Sequence, residues 1–529
     1  MFHPEEKRRH RLSFRRTADN IRSRGTGESV SAGILHLRYD SPVATYHVEN
    51  FGCRATQADG AALERQFESR GLSHAPAAQA DLVILNSCTV TNSADQDARA
   101  AIRRVQRQNP LAKIIVTGCY AQRAPQEIAG LPGVTAVIGN SHKHQLAELV
   151  LDENLRGNNA FIPLSTLTGN REPSTENQVV VSDIFAHTEL LAAPVFESGA
   201  SREHDRTRPN LKVQDGCDNR CSFCVIPSVR GQSRSLPASQ VIREMNDLVA
   251  AGYREVVISG INLGRWGRDL RVDSGVRLPA ADSSRSDVQR ERSELGAVQR
   301  TPNFESLIRA ILAHTQLEKL RISSVEPMDW TDGLISLVAS SPRIAKHAHV
   351  PLQSASDAVL RRMHRKYRPW HYREKIGKIH AAMPSAAIGA DVMVGFPGET
   401  GAEFEITRRF IEDLPFTYLH VFTYSARPGT AAAAMPNQVP IPLARERNKI
   451  LRDLAASKKQ TFMHSFVGKR LEAITLSTVR VRPTGVFTEA LTDNYQKIYL
   501  RGRHEANRWI TAHVEKLEDG GLLVGSQSC

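Results

Sequence analysis

Short apolar runs alternate with longer amphipathic segments over most of this chain, beginning near residue 44. The runs at 44–48, 81–85 and 113–116 predict strands, and the segments at 58–69 and 94–107 between them predict helices. Strands that alternate with helices build parallel sheets. Residues 43–150 are therefore expected to form a parallel α/β domain.

The same alternation resumes after residue 208. Strands are predicted at 211–214, 255–259, 319–323, 347–350, 388–394 and 418–423, with helices such as 237–250 and 401–413 between them. About six strand-helix units predict a partial TIM-type (β/α)6 barrel at 209–442, in which functional side chains are expected at the carboxyl ends of the strands. The polar, proline-bearing segment 151–208 is expected to be a linker with one or two strands.

A third pattern follows residue 442. A charged helix is predicted at 443–466, and short alternating strands at 471–476, 484–491, 496–500 and 509–514 predict a small antiparallel β-barrel at 467–527. The predicted fold class is therefore α/β, with this small β-barrel as its C-terminal domain.

Two stretches lack apolar periodicity. Residues 1–42 are rich in Arg and Ser, and residues 264–303 form a polar stretch much longer than a usual strand-helix loop. We expect a disordered basic tail and a flexible surface insertion, with contact to RNA as the alternative for each.

Composition indicates the kind of partner and the cellular compartment of the protein. The chain has 529 residues, a net charge of +13 and a pI near 9.5, which favours an anionic partner such as nucleic acid. No apolar run approaches the roughly 18 residues that cross a bilayer, and no secretion signal is evident. A cytoplasmic protein with no membrane partner is expected, and its seven cysteines argue against a disulfide framework.

The most informative cysteines lie just beyond the first strand of the predicted partial barrel. Cys217, Cys221 and Cys224 are separated by three residues and then two. Three thiolates at this spacing can hold three corners of an iron–sulfur cube and leave the fourth iron open for a cofactor. Structural zinc usually takes four ligands in paired Cys-x-x-Cys units, and no second unit follows here. Zinc or buried thiols remain the alternative.

Three further cysteines follow the three strands predicted in the N-terminal domain. Cys53, Cys88 and Cys119 are separated by 35 and 31 residues, which fits one strand-helix-strand repeat each time. The carboxyl ends of parallel strands meet at one edge of a sheet, where α/β folds bind their ligands. The topology therefore predicts a second three-thiolate site, with buried structural cysteines as the alternative.

The six cysteines stand in motifs that resemble those of the radical S-adenosylmethionine methylthiotransferases, and the resemblance extends over residues 44–526. Ala355 and Thr423 depart from the family pattern, at positions where Gly and Pro are usual. The C-terminal barrel resembles the RNA-binding TRAM domain. The matching segments are Asn-Phe-Gly-Cys53, Asn-Ser-Cys88, Gly-Cys119 and residues 217–235, 351–357, 389–400 and 422–430.

The resemblance implies a sulfur-group transferase with two 4Fe–4S clusters and two molecules of S-adenosylmethionine. Cys217, Cys221 and Cys224 would hold the catalytic cluster, which generates a 5′-deoxyadenosyl radical, and the N-terminal cysteines would hold the cluster that carries the sulfur. An electron donor of the flavodoxin or ferredoxin type is implied, and the sulfur donor stays open.

Segments 88–92, 117–122 and 230–235 look most like the branch that modifies C2 of N6-threonylcarbamoyladenosine 37 of tRNA. The alternatives are isopentenyladenosine 37, a ribosomal protein, or a non-catalytic iron–sulfur protein that binds RNA.

Polar residues at the strand ends of the partial barrel are candidates for binding S-adenosylmethionine, with ordinary loop or helix-cap roles as the alternative. Asp391 is expected to be structural. Basic residues of the terminal barrel are candidates for phosphate contact, and contact with phosphate or a substrate carboxylate is a further hypothesis for Arg365, Lys366 and Arg427. The cofactor candidates are Gly260, Asn262, Ser324, Glu326 and Gln353.

Overall fold

The computed structural model of the protein describes residues 45–151, 178–187, 189–190, 207–270, 302–518 and 520–524. The predicted basic tail at 1–42 and most of the predicted insertion at 264–303 lie outside these residues. The described residues belong to one compact unit. None of the described helices is long and apolar enough to cross a membrane.

The N-terminal domain is a parallel α/β sheet, as its apolar runs predict. Its strand order is β2-β1-β3-β4-β5-β6, and every neighbouring pair is parallel. Helices cover both faces of the sheet, so the apolar run that forms β3 is buried along its whole length. The strands are β1 (Thr45–Asn50), β2 (Ser73–His74), β3 (Leu82–Ser87), β4 (Lys113–Gly118), β5 (Val134–Gly139) and β6 (Gln178–Val180).

The helices of this domain alternate with its strands. They are α1 (Arg54–Glu68), α2 (Asn92–Gln108), α3 (Cys119–Arg123), α4 (Pro125–Ala129) and α5 (Leu146–Leu151). Strand β6 comes from the segment that was predicted to be a linker, and it adds a sixth strand to this sheet. The edge strand β6 is therefore formed by residues that follow the continuous α/β pattern.

The second domain is the partial barrel that the sequence predicts. Six parallel strands follow one another in the order β7, β9, β10, β11, β12 and β13, with bridges at Leu320–Ile344 and Ser324–His349 joining β10 to the β11 segment. Strand β8 pairs antiparallel with β7. The strands are β7 (Asn210–Asp215), β8 (Arg234–Ser235), β9 (Glu255–Gly260), β10 (Lys319–Ile322), β11 (His347–His349), β12 (Ala387–Val394) and β13 (Tyr418–Thr423).

Helices on the outside of the partial barrel begin where the sequence supplies caps. Asn303 and Thr400 form capping boxes with Ser306 and Glu403, which satisfy backbone N–H groups in the first turn of two helices. The helices are α6 (Ile226–Arg230), α7 (Ala238–Ala250), α8 (Phe304–His314), α9 (Asp332–Ser340), α10 (Asp357–Arg362), α11 (Pro369–Ala382) and α12 (Gly401–Asp413).

A long helix, α13 (Ile441–His464), packs on β13 and leads to a closed C-terminal barrel with the order β14-β15-β16-β18-β17. The predicted small antiparallel barrel is confirmed, and it gains a further strand, β18, which pairs antiparallel with β17 and parallel with β16. The hairpin of β17 and β18 inserts β18 between β17 and β16, which fixes that direction. The strands are β14 (Arg470–Arg482), β15 (Gly485–Thr492), β16 (Lys497–Arg501), β17 (Trp509–Glu518) and β18 (Gly521–Val524).

The C-terminal barrel docks against the amino ends of the strands of the partial barrel. Arg321 on β10 donates hydrogen bonds to the backbone oxygens of Thr492 and Asp493, each at 3.0 Å. Asn507 donates to the Gly252 oxygen at 2.7 Å. One end of the partial barrel is therefore covered by another domain, and the carboxyl ends of its strands face the N-terminal domain.

A buried arginine joins β13 of the partial barrel to the N-terminal domain. Arg427 is 1% exposed, pairs with Asp95 and donates to Thr89 Oγ1 at 2.8 Å. Asp95 also pairs with Arg123 at 2.9 Å. The hypothesis that Arg427 contacts phosphate or a substrate carboxylate is wrong, because the guanidinium is already buried against this carboxylate.

Replacing Arg427 by Met should weaken this interdomain contact by about 1–3 kcal/mol, because buried polar atoms on Asp95 and Thr89 lose a donor. Amide hydrogen exchange of residues 89–95 measures the change. The matched control is Arg373→Met, which removes an exposed pair with Asp413 at 3.3 Å and should cost no more than about 0.5 kcal/mol. Equal exchange rates in both variants would contradict the assignment.

Candidate active site

The three cysteines of the partial barrel lie in a loop between β7 and α6 that folds back on itself. Cys217 N donates to the Gly231 oxygen and Cys224 N to the Cys221 oxygen, both at 3.1 Å. These bonds close the loop at its two ends. All three thiols are free and partly buried, so one short segment presents three sulfur atoms at the carboxyl end of β7.

Hydrogen-bond donors surround two of these sulfur atoms. Asn219 N and Asn262 Nδ2 point at Cys217 Sγ from 3.4 and 3.5 Å, and Arg365 Nη1 points at Cys221 Sγ from 3.4 Å. Arg365 is 7% exposed and also pairs with Glu326. Donors aimed at sulfur stabilise the thiolate form that binds metal. Arg365 is therefore held against the cysteine loop, where the sequence offered it only as a phosphate or carboxylate contact.

The N-terminal cysteines lie at the carboxyl ends of three parallel strands of one sheet. Cys53 is the N-cap of α1 after β1, Cys88 directly follows β3, and Cys119 begins α3 directly after β4. Cys88 and Cys119 are buried, whereas Cys53 is exposed. The topology thus brings together three residues that are far apart in the sequence.

Glycines before two of these cysteines allow the close approach. A Cβ on Gly52, whose φ is +97°, would lie 2.7 Å from Cys88 Sγ. A Cβ on Gly118, also at +97°, would lie 2.3 Å from the Ser87 oxygen. Both positions therefore require glycine, which explains the Gly-Cys pairs in the sequence.

The electrostatics of both cysteine sets fit an iron–sulfur cluster. Burial, together with the charges of Cys119 and Cys53, raises the pKa of Cys88 to about 12. Burial likewise raises the pKa of Cys224 to about 12, with Cys221 and Cys217 adding to the effect. Thiols that raise one another's pKa become thiolates together when a cation lies among them.

Single-ion binding fits these cysteines less well. Over the described ranges, no three His, Cys, Asp or Glu side chains are gathered closely enough to hold one metal ion. A cubane cluster spaces its ligands more widely, because each thiolate binds a different iron atom. Three thiolates in each set could hold three corners of such a cluster.

The two cysteine sets are adjacent across the domain boundary. Cys119 packs against Val225 and Val229, which belong to the segment directly after Cys224. Asn140 donates to Cys119 Sγ at 3.5 Å and to the Val229 oxygen at 2.7 Å. Helix α6 therefore follows one cysteine set along the chain and packs against the other.

A buried charge network fixes this arrangement. Asp59 of the N-terminal domain pairs with Lys143 and Arg230, each at 3.0 Å, and with Lys212 on β7. Asp215 pairs with Arg230 at 2.9 Å and with Lys212 at 2.8 Å. All five residues are at most 5% exposed. Burial raises the pKa of Asp59, but its three cations outweigh this and lower it to about 2.

A cavity of about 610 Å³ opens between the domains at the carboxyl ends of the barrel strands. Cys53 of the first domain and Tyr495 of the third line it together with strand residues of the second. The five candidate cofactor residues all lie on its wall: Gly260, Asn262, Ser324, Glu326 and Gln353.

Several polar atoms on the cavity wall have partners, and several have none. Ser324 Oγ lies 2.9 Å from His349 Nδ1, and Asn262 N donates to Gln214 Oε1 at 2.7 Å. Among the described residues, Asn262 Oδ1, Ser259 Oγ and His349 Nε2 are buried without a hydrogen-bond partner. Such atoms are available to a ligand that enters the cavity.

The inner wall consists of residues that the sequence reasoning missed. His347 and His349 alternate on β11, and Tyr418 and His420 alternate on β13, so their side chains share the inner face. The period-two pattern His-Ala-His is the signal that could have identified them. Tyr495 from the C-terminal barrel lies against His347 with ring centroids 4.8 Å apart and forms the floor.

Asp391 is also part of this wall, although the sequence suggested a structural role. Burial raises its pKa to about 6, and the charge of Glu326 adds to the effect. Burial lowers the pKa of the neighbouring His349 to about 3, and the charges of His420 and Arg54 add to that effect, so this histidine is neutral at physiological pH. The inner cavity therefore holds a carboxyl group that titrates near neutrality beside neutral imidazoles.

Two family models match the chain. The model of uncharacterized protein family UPF0004 matches residues 45–139, and that of the Radical SAM superfamily matches residues 211–411. These matches fall on the domains that carry the two cysteine sets.

Curated relatives cover most of the chain. A threonylcarbamoyladenosine tRNA methylthiotransferase of Bacillus subtilis is 33% identical over 88% of this chain and 92% of its own length. The enzyme of that name from Aquifex aeolicus is 32% identical over 87% and 98%. A tRNA-2-methylthio-N(6)-dimethylallyladenosine synthase of Novosphingobium aromaticivorans is 32% identical over 81% and 86%.

Replacing Asp391 by Asn should stabilise the protein above pH 4. The pKa of Asp391 is about 6 in the folded protein, whereas the ordinary value for an aspartate is 3.8. The free energy of unfolding of the wild-type protein therefore falls by up to roughly 3 kcal/mol as pH rises from about 4 to 6. The Asp391→Asn variant has no carboxyl group to titrate at this position, so its stability should not fall over this pH range. Urea unfolding of both proteins between pH 4 and 7 measures it, and parallel pH profiles would contradict the burial of Asp391.

Proposed function

Because the chain belongs to the radical S-adenosylmethionine methylthiotransferase family, we propose that it inserts sulfur and methyl at C2 of N6-threonylcarbamoyladenosine 37 of tRNA. The family makes it a tRNA methylthiotransferase that uses S-adenosylmethionine and a 4Fe–4S cluster. The choice of modified adenosine, the second cluster and the use of two S-adenosylmethionine molecules are the proposal.

One observation carries this proposal. Cys119 packs against helix α6, which begins two residues after Cys224. A sulfur atom held by the N-terminal cysteines and a cofactor held by the barrel cysteines would therefore approach one substrate atom in the shared cavity. Bringing both reactants to one carbon converts two bimolecular encounters into steps within a complex.

Each cysteine set has a proposed role. Cys217, Cys221 and Cys224 would hold the cluster that binds S-adenosylmethionine. The second cluster would be held by Cys53, Cys88 and Cys119. When bound, the cluster with S-adenosylmethionine supplies one-electron chemistry that reacts with an unactivated C–H bond, which no side-chain base can do.

The side chains at the strand ends would bind and orient the cofactor. Glu326, held by its ion pair with Arg365, would accept hydrogen bonds from ribose hydroxyls. Asn262 Oδ1, which has no partner among the described residues, offers an acceptor for an amino group. Gly260 lies on the cavity wall, where its backbone would pass close to the methionine portion. Ser324 and Gln353 complete the proposed set.

The C-terminal barrel is the proposed tRNA-binding domain, of the TRAM type, at 467–527. Arg480 and Lys497 pair with Glu489. Other basic residues form no ion pair among the described residues and are the better candidates for phosphate contact: Lys469, Arg470, Arg501 and Arg503. The proposed N-terminal cluster domain at 43–150 and cofactor domain at 209–442 complete this organisation. A flavodoxin-type or ferredoxin-type donor would supply the electron.

Sequence identity does not distinguish the two tRNA substrates, since relatives named for each of them reach 33%. The polar lining of the cavity supports the threonylcarbamoyl substrate. Arg54, His349 and His420 lie on its wall, where hydrogen bonds to a hydroxyl and a carboxylate are available. An isopentenyl group offers neither.

Single cysteine variants should each lose one cluster. Cys221→Ala and Cys119→Ala remove ligands from different sets, so each anaerobically prepared variant should retain roughly half of the wild-type iron and sulfide. The seventh cysteine supplies the control, because Cys529, outside the described residues, belongs to neither set and Cys529→Ala should keep the full content. Full iron in Cys119→Ala would argue against the second cluster.

Nucleoside analysis tests the substrate. tRNA from a strain that lacks the gene should contain threonylcarbamoyladenosine without its 2-methylthio derivative, and the wild-type gene, but not one encoding Cys221→Ala, should restore it. Mass spectrometry of digested tRNA measures both nucleosides. Loss of the methylthio-isopentenyl nucleoside instead would assign the chain to the other tRNA substrate, and unchanged profiles would remove the tRNA role.

A further inference from the structure

The charged side chains around the cavity differ in whether they form ion pairs. Arg321 is buried, pairs with Glu255 at 2.7 Å and donates to two backbone oxygens of the C-terminal barrel. Glu326 pairs with Arg365. By contrast, the side chain of Arg54 forms no hydrogen bond or ion pair with any described residue, although it lies on the cavity wall. One cation therefore faces the cavity without an anion.

The backbone of Arg54 is held in place, while its side chain is exposed on the cavity wall. Arg54 is the first residue of α1, directly after Cys53, and its backbone oxygen accepts a hydrogen bond from Asn210 Nδ2 at 3.4 Å. Burial is the main cause of the lowered pKa of His420, and the charge of Arg54 lowers it further. The guanidinium is therefore close to the imidazoles of the inner wall.

Helix stability does not explain a cation at this position. The first turn of a helix favours acidic residues, because its N–H groups carry partial positive charge. The first turn of α1 contains no acidic residue, and Arg54 begins it. An arginine here opposes the helix dipole, so its benefit must come from an interaction outside the helix.

We propose that Arg54 is a specificity-determining residue that binds the carboxylate of the threonylcarbamoyl group on the target adenosine. This inference rests on the proposed function and names the substrate contact within that site. A guanidinium presents two parallel N–H donors that match a carboxylate, so the pair is bidentate and charge-assisted. The carboxylates of Glu326 and Asp391 lie elsewhere on the wall and would repel the substrate carboxylate if it bound there.

The charge of Arg54 also discriminates between the two tRNA substrates. Isopentenyladenosine has no carboxylate. Because Arg54 is exposed, its guanidinium stays hydrated when no carboxylate binds, so the isopentenyl substrate neither gains nor loses from it. Arg54 therefore favours the threonylcarbamoyl substrate through the added charge-assisted pair.

The experiment compares three variants of the reconstituted full-length enzyme on two tRNA substrates. Arg54→Gln removes the charge, and Arg54→Lys keeps the charge without the bidentate geometry. Arg103→Gln is the matched control, an exposed arginine on α2 of the same domain. Methylthio product gives kcat/KM for tRNA carrying threonylcarbamoyladenosine or isopentenyladenosine. Binding of anticodon stem-loops with threonylcarbamoyladenosine or unmodified adenosine gives a second readout that requires no turnover.

Arg54→Gln should lower kcat/KM for the threonylcarbamoyl substrate by about tenfold to a hundredfold and leave the isopentenyl value within about twofold. Arg54→Lys should fall between, and Arg103→Gln should match the wild type. The binding preference of the wild type for the threonylcarbamoyl stem-loop should be lost in Arg54→Gln. Iron content and melting temperature show that each variant is folded.

Different failures have different meanings. An equal loss on both substrates, or no loss of kcat/KM and of binding preference in Arg54→Gln, would overturn the role of Arg54. A wild-type enzyme that forms no methylthio product on threonylcarbamoyl tRNA would overturn the proposed function. In that case the stem-loop binding still decides whether Arg54 recognises the carboxylate.

Discussion

The geometry of the site depends on a buried charge network at the boundary between the first two domains. Three cations, Lys143, Lys212 and Arg230, surround Asp59 and Asp215 in a nearly solvent-free space. Losing one partner would leave a buried charge uncompensated, which strongly destabilises a fold. The network therefore fixes the relative position of α1, β7 and α6, and these three elements carry or flank both cysteine sets.

The network carries one excess positive charge. Cys119 and Cys53 lie close enough to Arg230 to interact with it electrostatically. Burial alone would lower the pKa of Arg230, but Asp215, Cys119, Asp59 and Cys53 together raise it well above its ordinary value. A cluster held by three thiolates is anionic, so the network and the second cluster would stabilise each other. The C-terminal barrel completes the cavity by placing Tyr495 at its floor. Three domains thus contribute to one chamber.

Periodicity predicted the parallel N-terminal sheet, the six-stranded partial barrel and the C-terminal barrel, because each uses regular apolar patterns. It predicted one or two strands in segment 151–208, but not that β6 joins the N-terminal sheet. It also did not predict the parallel pairing of β18, which depends on how a hairpin inserts. The cysteine positions followed from topology. The burial of Arg427 against Asp95 and the inner wall at His349 and Tyr418 depend on contacts between distant segments, which no local pattern specifies.

The central proposal is that two three-cysteine sets, linked by the packing of Cys119 on helix α6, each hold an iron–sulfur cluster. Electron paramagnetic resonance of the fully reduced, reconstituted protein tests it most directly. The account predicts that the wild-type spectrum shows broadening and faster relaxation from two interacting clusters, and that variants lacking either cysteine set show a single isolated cluster. A wild-type spectrum equal to the sum of the two variant spectra would contradict it.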